Sequence, residues 1–292
     1  MSPPRIEVTD LRKTFASASG PVEVLGGVSL HVDRGEFVSI VGPSGSGKST
    51  LFGLLTGLLE PTGGRILLDG RSPDRSNRGL AWMPQADALL PWRTVERNVA
   101  LGLEVQGVSP ARARARARDL LPTFGLDGFA RTHPHELSGG MRQRAAFART
   151  VAQGRDVLLL DEPFGALDAL TRTDLQLWLA GLWQAERWTV LLISHDIREA
   201  VLLSDRVYVL GPRPATVQAV IDVDLPRPRS LDDVLSAGGV DLERQILSAL
   251  AGQATSAAEG RDGGGAAPFG KHDGGIVVRP GLAGGGVQDP PQ

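Results

Sequence analysis

The sequence contains no cysteine, which excludes a disulfide framework, a thiolate metal site and thiol catalysis. Its five histidines are scattered, which argues against a polyhistidine metal site. No run of about 18 apolar residues occurs, so no helix is expected to span a bilayer. The opening stretch, MSPPRIEVTDLRKTF, has no apolar segment after its positive charge, so no secretory signal is predicted and the chain is expected to stay on the cytoplasmic side. The formal net charge of −2, from 31 basic and 33 acidic residues, leaves no excess to coat nucleic acid by bulk charge. Lysine is scarce, at Lys13, Lys48 and Lys271 only, which makes each one worth inspecting.

What is present reads as folded protein. Apolar residues make up 41% and charged residues 22%, both near globular averages, and 292 residues suffice for two domains or one large domain with an appendage. Short apolar or β-branched runs at 6–8, 28–32, 37–41, 65–68, 80–83, 157–160, 189–193 and 207–210 read as strands. Those at 37–41, 157–160 and 190–193 are nearly continuous in apolar character, as in a parallel sheet covered on both faces. Helical stretches are predicted at 48–59, 110–124, 140–152, 167–188 and 196–203, and the alternation argues for an α/β fold. The interval between the first and second buried strands predicts an inserted helical subdomain, at about 88–152. The repeat ARARARAR at 111–118 reads as a solvated helix started by Ser109-Pro110. Residues 1–235 read as folded protein, with a change of character after Pro226 and the main domain ending at about 228. Residues 229–251 are expected to hold one or two short helices. The Gly-, Ala- and Pro-rich stretch 252–292 is expected to be disordered, with Ile276-Val277-Val278 its one apolar cluster.

Gly42-Pro43-Ser44-Gly45-Ser46-Gly47-Lys48-Ser49 matches G-x-x-x-x-G-K-[ST] at every fixed position, between an apolar strand and a helix. Small residues let consecutive backbone N–H groups turn inward as an anion nest, and the helix N-terminus adds partial positive charge. Lys48 reaches the outer phosphates, the Ser49 hydroxyl can ligate Mg²⁺, and Thr50 can donate to an inner phosphate. Val157-Leu158-Leu159-Leu160-Asp161-Glu162 is a buried strand ending in two carboxylates: Asp161 suits holding Mg²⁺ and Glu162 suits polarising an attacking water. Ser138-Gly139-Gly140 forms a second loop at a helix N-terminus, a second phosphate site that two head-to-tail chains could close over one nucleotide.

In this order and at these intervals, the motifs resemble the ATP-binding cassette (ABC) ATPase family, over residues 5–228. That resemblance implies a P-loop NTPase fold: an α/β mixed or parallel sheet core, an antiparallel β subdomain and the inserted helical subdomain. It identifies Leu137–Met141 with the signature loop and Gly165-Ala166-Leu167-Asp168 with the D-loop, placing Asp168 at the dimer contact. It makes His195 the γ-phosphate switch histidine, gives Gln85 to Mg²⁺ or the attacking water, and stacks Phe15 on adenine. Three positions depart from the usual pattern. Met141 replaces Gln, Gly165 replaces Ser, and Phe15 replaces Tyr, which keeps the stacking face and loses a hydroxyl. None removes a catalytic group.

The implied activity is ATP hydrolysis with ATP and Mg²⁺, in a head-to-tail homodimer. The stretches LLPWRTVERNVALGLE and DEPFGALDALTR are similar to importers of the nitrate, sulfonate and taurine group. Such a subunit sits peripherally on the cytoplasmic membrane face, works with separate permease subunits and, indirectly, with a solute-binding protein, and needs no nucleic acid. The region around Trp92 and Arg93 would receive the permease. The alternative is a soluble cassette ATPase acting on DNA or ribosomes. Such chains usually carry two cassettes or a long coiled coil, and neither is visible here.

Overall fold

The computed structural model describes residues 3–73 and 79–259. Strands β1 (Ile6–Phe15), β2 (Val22–Val32) and β4 (Gly63–Leu68) form an antiparallel sheet in the order β2-β1-β4. Strands β3 (Phe37–Val41), β5 (Leu80–Met83), β6 (Val157–Asp161), β7 (Thr189–Ser194), β8 (Arg206–Leu210) and β9 (Val217–Asp222) form the main sheet, ordered β5-β6-β7-β3-β8-β9. Every pair in it is parallel except β8 with β9. The helices are α1 (Lys48–Thr56), α2 (Val95–Val105), α3 (Pro110–Leu120), α4 (Gly139–Val151), α5 (Ala169–Glu186), α6 (Ile197–Leu203), α7 (Leu231–Leu235) and α8 (Ala237–Glu259).

The continuous apolar runs have the expected cause: both faces of the main sheet are covered. Alternate residues of one strand enter different cores. Leu158 and Leu160 pack with the helical side, whereas Val157 and Leu159 pack with α1 and the antiparallel sheet. Val38 and Ile40 divide from Phe37 and Val41 in the same way. Each fully buried aliphatic side chain of this kind contributes about 1.5–3 kcal/mol.

The interval 88–152 holds α2, α3 and α4, and the Ala-Arg repeat lies on α3. Ala113 and Ala117, one turn apart, are buried, while Arg112 and Arg116 are exposed and Arg118 pairs with Glu96 at 2.9 Å. Small side chains thus let α3 pack against the rest of the insertion, and the guanidinium groups stay in water.

The chain after β9 differs from expectation. Residues 227–229 are tied down: the buried Arg229 donates to Val201 O at 2.9 Å and Val223 O at 2.8 Å, and Arg227 lies 4.2 Å over the Trp183 ring. The short helix α7 is followed by a long one, α8, which passes the expected boundary at Gly252 and reaches Glu259. The cluster Ile276-Val277-Val278 and the rest of the expected tail lie outside the described residues.

Candidate functional site

Parallel register gathers the chemistry at one edge of the main sheet. Val41 pairs with Ser194 and Asp161 with Ile193, while Met83 pairs with Leu160. The segments that leave β3, β5, β6 and β7 therefore emerge side by side at the strands' carboxyl ends, where open α/β sheets bind ligands. Gly42 opens the first segment, Gln85 lies in the second, Glu162 opens the third and His195 the fourth.

The first segment is a tight nest. Gly47 has φ +95°, and a Cβ there would meet Val24 Cγ1 at 2.8 Å and Leu25 Cδ2 at 2.9 Å. At Gly42 a Cβ would meet Leu210 O at 2.9 Å. Both positions thus exclude a side chain, one by conformation and packing, the other by packing alone. Lys48 opens α1, and its buried ammonium donates to Gly42 O at 2.8 Å and Pro43 O at 3.1 Å, folding back over the loop. Burial lowers its pKa, opposed by the charges of Glu162 and Asp161. Ser46 Oγ is buried and has no hydrogen-bond partner among the described residues, an orphan suited to an incoming oxygen. Arg213 Nε also donates to Gly45 O, bringing a guanidinium to the loop from the far side of β8.

Beside the nest, the Ser49 hydroxyl lies close enough to Asp161 to bear on its charge. Burial raises the Asp161 pKa, opposed by the Ser49 hydroxyl and by Lys48. A hydroxyl and a carboxylate so placed match the oxygen set of a small hard cation. One residue on, Glu162 adopts φ 45°, a left-handed conformation costly for a non-glycine residue and typical of functional turns. Its Oε2 accepts from Gln85 Nε2 at 2.9 Å and lies 3.3 Å from His195 Nδ1. Gln85, Glu162 and His195 therefore form one connected group. Such a group can orient a water against a phosphorus centre.

Other expected residues lie apart from it. Ser138 caps α4 by accepting from Met141 N at 3.2 Å, and Asp168 caps α5 by accepting from Thr171 N at 3.1 Å. That backbone hydrogen bond lowers the Asp168 pKa. Neither Ser138 to Gly140 nor Asp168 joins the Gln85–Glu162–His195 group by a hydrogen bond or ion pair among the described residues. Phe15, half-buried on the antiparallel sheet, carries the Lys13 ammonium 4.9 Å from its ring centroid.

Several residues with no distinguishing local pattern are also placed to matter. Asn98 is fully buried, donates to Leu90 O, Arg93 O and Thr94 O at 3.0–3.1 Å, and accepts from Leu90 N at 2.7 Å. It thereby shapes the turn that leaves Trp92 72% exposed. Arg149 of α4 donates to Asp87 O and Ala88 O, and Arg142 Nε lies 3.3 Å from Asp87 Oδ2. Gln143, between them on α4, donates to Pro163 O. One helix thus grips the segment after Gln85 and the turn after Glu162, and at its N-terminus it carries Ser138.

Comparison with known proteins gives the family and the fold. The ABC transporter family model matches residues 25–165. The chain is 44% identical to the nitrate import ATP-binding protein NrtD of Synechocystis over 76% of its length and 83% of that protein. It is 38% identical to the aliphatic sulfonates import ATP-binding protein SsuB of Bacillus cereus, over 77% of this chain and 88% of that one. A bacterial ABC transporter cassette, solved as a post-hydrolysis dimer bound to ADP and Pi, matches with a TM-score of 0.66 and 31% identity. That match covers 75% of this chain and 98% of the solved one. The site and fold define a nucleotide-hydrolysing cassette. The chain belongs to the ABC transporter ATP-binding family, and it is an ABC-type ATPase.

Proposed function

We propose that the chain is the ATP-hydrolysing subunit of an importer that takes up a small oxyanion or related solute, such as nitrate, a sulfonate or taurine, through separate permease subunits. The likeness to nitrate and sulfonate import proteins over most of both chains carries this reading. The exposed Trp92, on a turn held by Asn98 and tied through α4, supports it: a large aromatic on a rigid turn suits a protein partner. Among the described residues no helix is long and apolar enough to cross a membrane, and in this reading the permease is a separate chain. The subunit would sit peripherally on the cytoplasmic face. A solute-binding protein would reach it only through that permease.

In this reading the phosphates lie in the nest formed by Gly42, Pro43, Ser44, Gly45, Ser46 and Gly47. Lys48 gives up its loop carbonyls to reach the outer phosphates, and Thr50 donates to an inner one. Phe15 supplies the adenine face. Ser49 and Asp161, with Gln85, would hold Mg²⁺, which would offset the negative charge of the phosphates. Glu162 accepts the proton of the attacking water and His195 steadies the γ-phosphate. Ser138, Gly139 and Gly140 of a second copy close the nucleotide, with Asp168 at the contact between copies. The dimeric state of the solved relative supports this arrangement.

Glu162→Gln tests the site. The replacement keeps every binding group and removes the proton acceptor, so the variant is expected to form a stable dimer with ATP and to lose turnover. Size-exclusion chromatography with and without ATP reads this out. A variant that stays monomeric and hydrolyses like the parent refutes the assignment. Uptake of labelled nitrate, sulfonate and taurine by cells with and without the gene tests the solute class.

A further inference from the structure

Behind the Glu162–His195 pair lies a carboxylic acid that the activity above does not use. Glu199, on the first turn of α6, is fully buried. It accepts from Gln176 Nε2 of α5 at 3.0 Å. Ser194 immediately precedes His195, and its hydroxyl donates to Asp196 O at 3.2 Å and accepts from Asp196 N at 2.9 Å. Glu199 N donates to Asp196 Oδ1 at 3.3 Å, so the backbone on both sides of His195 is tied to the first turn of α6.

A cleft of about 10 Å³ joins the two groups, with Glu162, Gly165, Arg172, His195 and Glu199 among its lining residues. That is room for roughly one water, and the walls are polar enough to hold it. Arg172 Nε, buried and without a hydrogen-bond partner among the described residues, gives such a water a donor. Glu199 and Glu162 give it acceptors. Gly165 belongs to this arrangement, since a Cβ there would lie 3.6 Å from His195 Cε1 and narrow the cleft.

We propose that Glu199 is a positioning residue for the Glu162–His195 pair, acting through one water held in this cleft. Burial pushes its carboxyl up to about 8, opposed by the neighbouring Gln176 amide and Ser194 hydroxyl. The charges facing it are Asp196, which raises the value, and Arg172, which lowers it. On the outer side of α6, Glu243 of α8 is occupied by Arg198, and Asp233 of α7 by its cap with Ser230. β3 presents no titratable side chain to α6. At neutral pH the buried acid holds its proton, and its ionisation would put a second negative charge beside Glu162.

The inference rests on the roles given above to Glu162 and His195, and the test separates the two. Steady-state ATPase assays on the full chain compare parent, Glu199→Ala, Glu199→Gln and Glu162→Gln across pH. Glu199→Ala is expected to lower kcat on the order of tenfold or more while KM for ATP stays within about twofold. Glu199→Gln, neutral and of the same shape, is expected to keep the parent's kcat near neutrality and to lack the fall in kcat expected of the parent above about pH 8. Parent-like kcat in the alanine variant, or superimposable pH profiles for parent and glutamine variant, overturns the proposal. Should the alanine variant not fold, the glutamine profile decides alone. Full turnover in Glu162→Gln would instead refute the site assignment itself.

Discussion

Glu199→Gln also has a consequence for folding that needs no assay of activity. The carboxyl moves from an ordinary value of 4.5 to about 8 on folding, because burial disfavours its charged form. That displacement corresponds to about 5 kcal/mol of preference for the protonated acid in the native state. Between those two values the unfolded chain has released the proton and the folded chain retains it, so rising pH favours unfolding. The contribution is fully present below the ordinary value and is lost as pH climbs to about 8, at ~1.4 kcal/mol per pH unit. Glutamine cannot ionise and escapes this loss. Urea denaturation of parent and variant at several pH values from about 5.5 to about 7.5 measures it. All other titrating groups are common to both proteins and cancel in the difference. Relative to the variant, the parent is expected to lose about 3 kcal/mol over that range, with the difference levelling off above about pH 8. Two stability curves that stay parallel would show that Glu199 is not held neutral and would refute the reasoning.

Two further substitutions test the architecture of the site. Gly47→Ala places a Cβ against Val24 and Leu25 at a positive φ, so it is expected to cost at least about 1–2 kcal/mol and to distort the nest; a fluorescent ATP analogue bound with parental affinity would contradict this. Asn98→Leu leaves Arg93 O without its donor and Leu90 N without its acceptor, while Leu90 O and Thr94 O keep backbone donors, so a loss of about 2 kcal/mol or more in urea unfolding is expected, and a change near zero would mean that the Trp92 turn is held by something else.

How much of this was legible in the sequence depends on how local the cause is. The phosphate loop is a contiguous pattern between a strand and a helix, and the carboxylates end a strand, so both could be read without a structure. The main-sheet strands were legible because burial on both faces makes them unbroken apolar runs. The edge strand β9 was not: Val217 to Asp222 is half exposed and pairs on one side only, which leaves a weak pattern. β1 and β2 run longer than their apolar segments, because register shifts around Thr9 to Arg12 break the alternation a reader would follow. The extent of α8 was hidden by composition. Its last turns, QATSAAE, look like linker, yet alanine is the best helix former. Glu199, Arg149 and Arg229 carried no local signal, since each owes its role to partners distant in sequence; Asn98 has near partners, but they lie in an irregular turn with no pattern to read.

The lid expected from Ser138, Gly139 and Gly140 shows how the structure separates two causes that the sequence merges. Ser138 is accounted for within one chain, as the cap of α4. Gly140 is too, because a Cβ there would press on Thr171 Cγ2 at 2.8 Å. Gly139 is different. A Cβ at that position would meet Leu167 Cδ2 at 3.5 Å, an ordinary contact, and its φ is not positive. The fold of the single chain therefore tolerates a side chain at 139 and does not account for the glycine. A bare backbone at a helix N-terminus suits a phosphate brought by another copy. That is the requirement the nucleotide-sandwich dimer imposes, and the E162Q chromatography described above tests for that dimer.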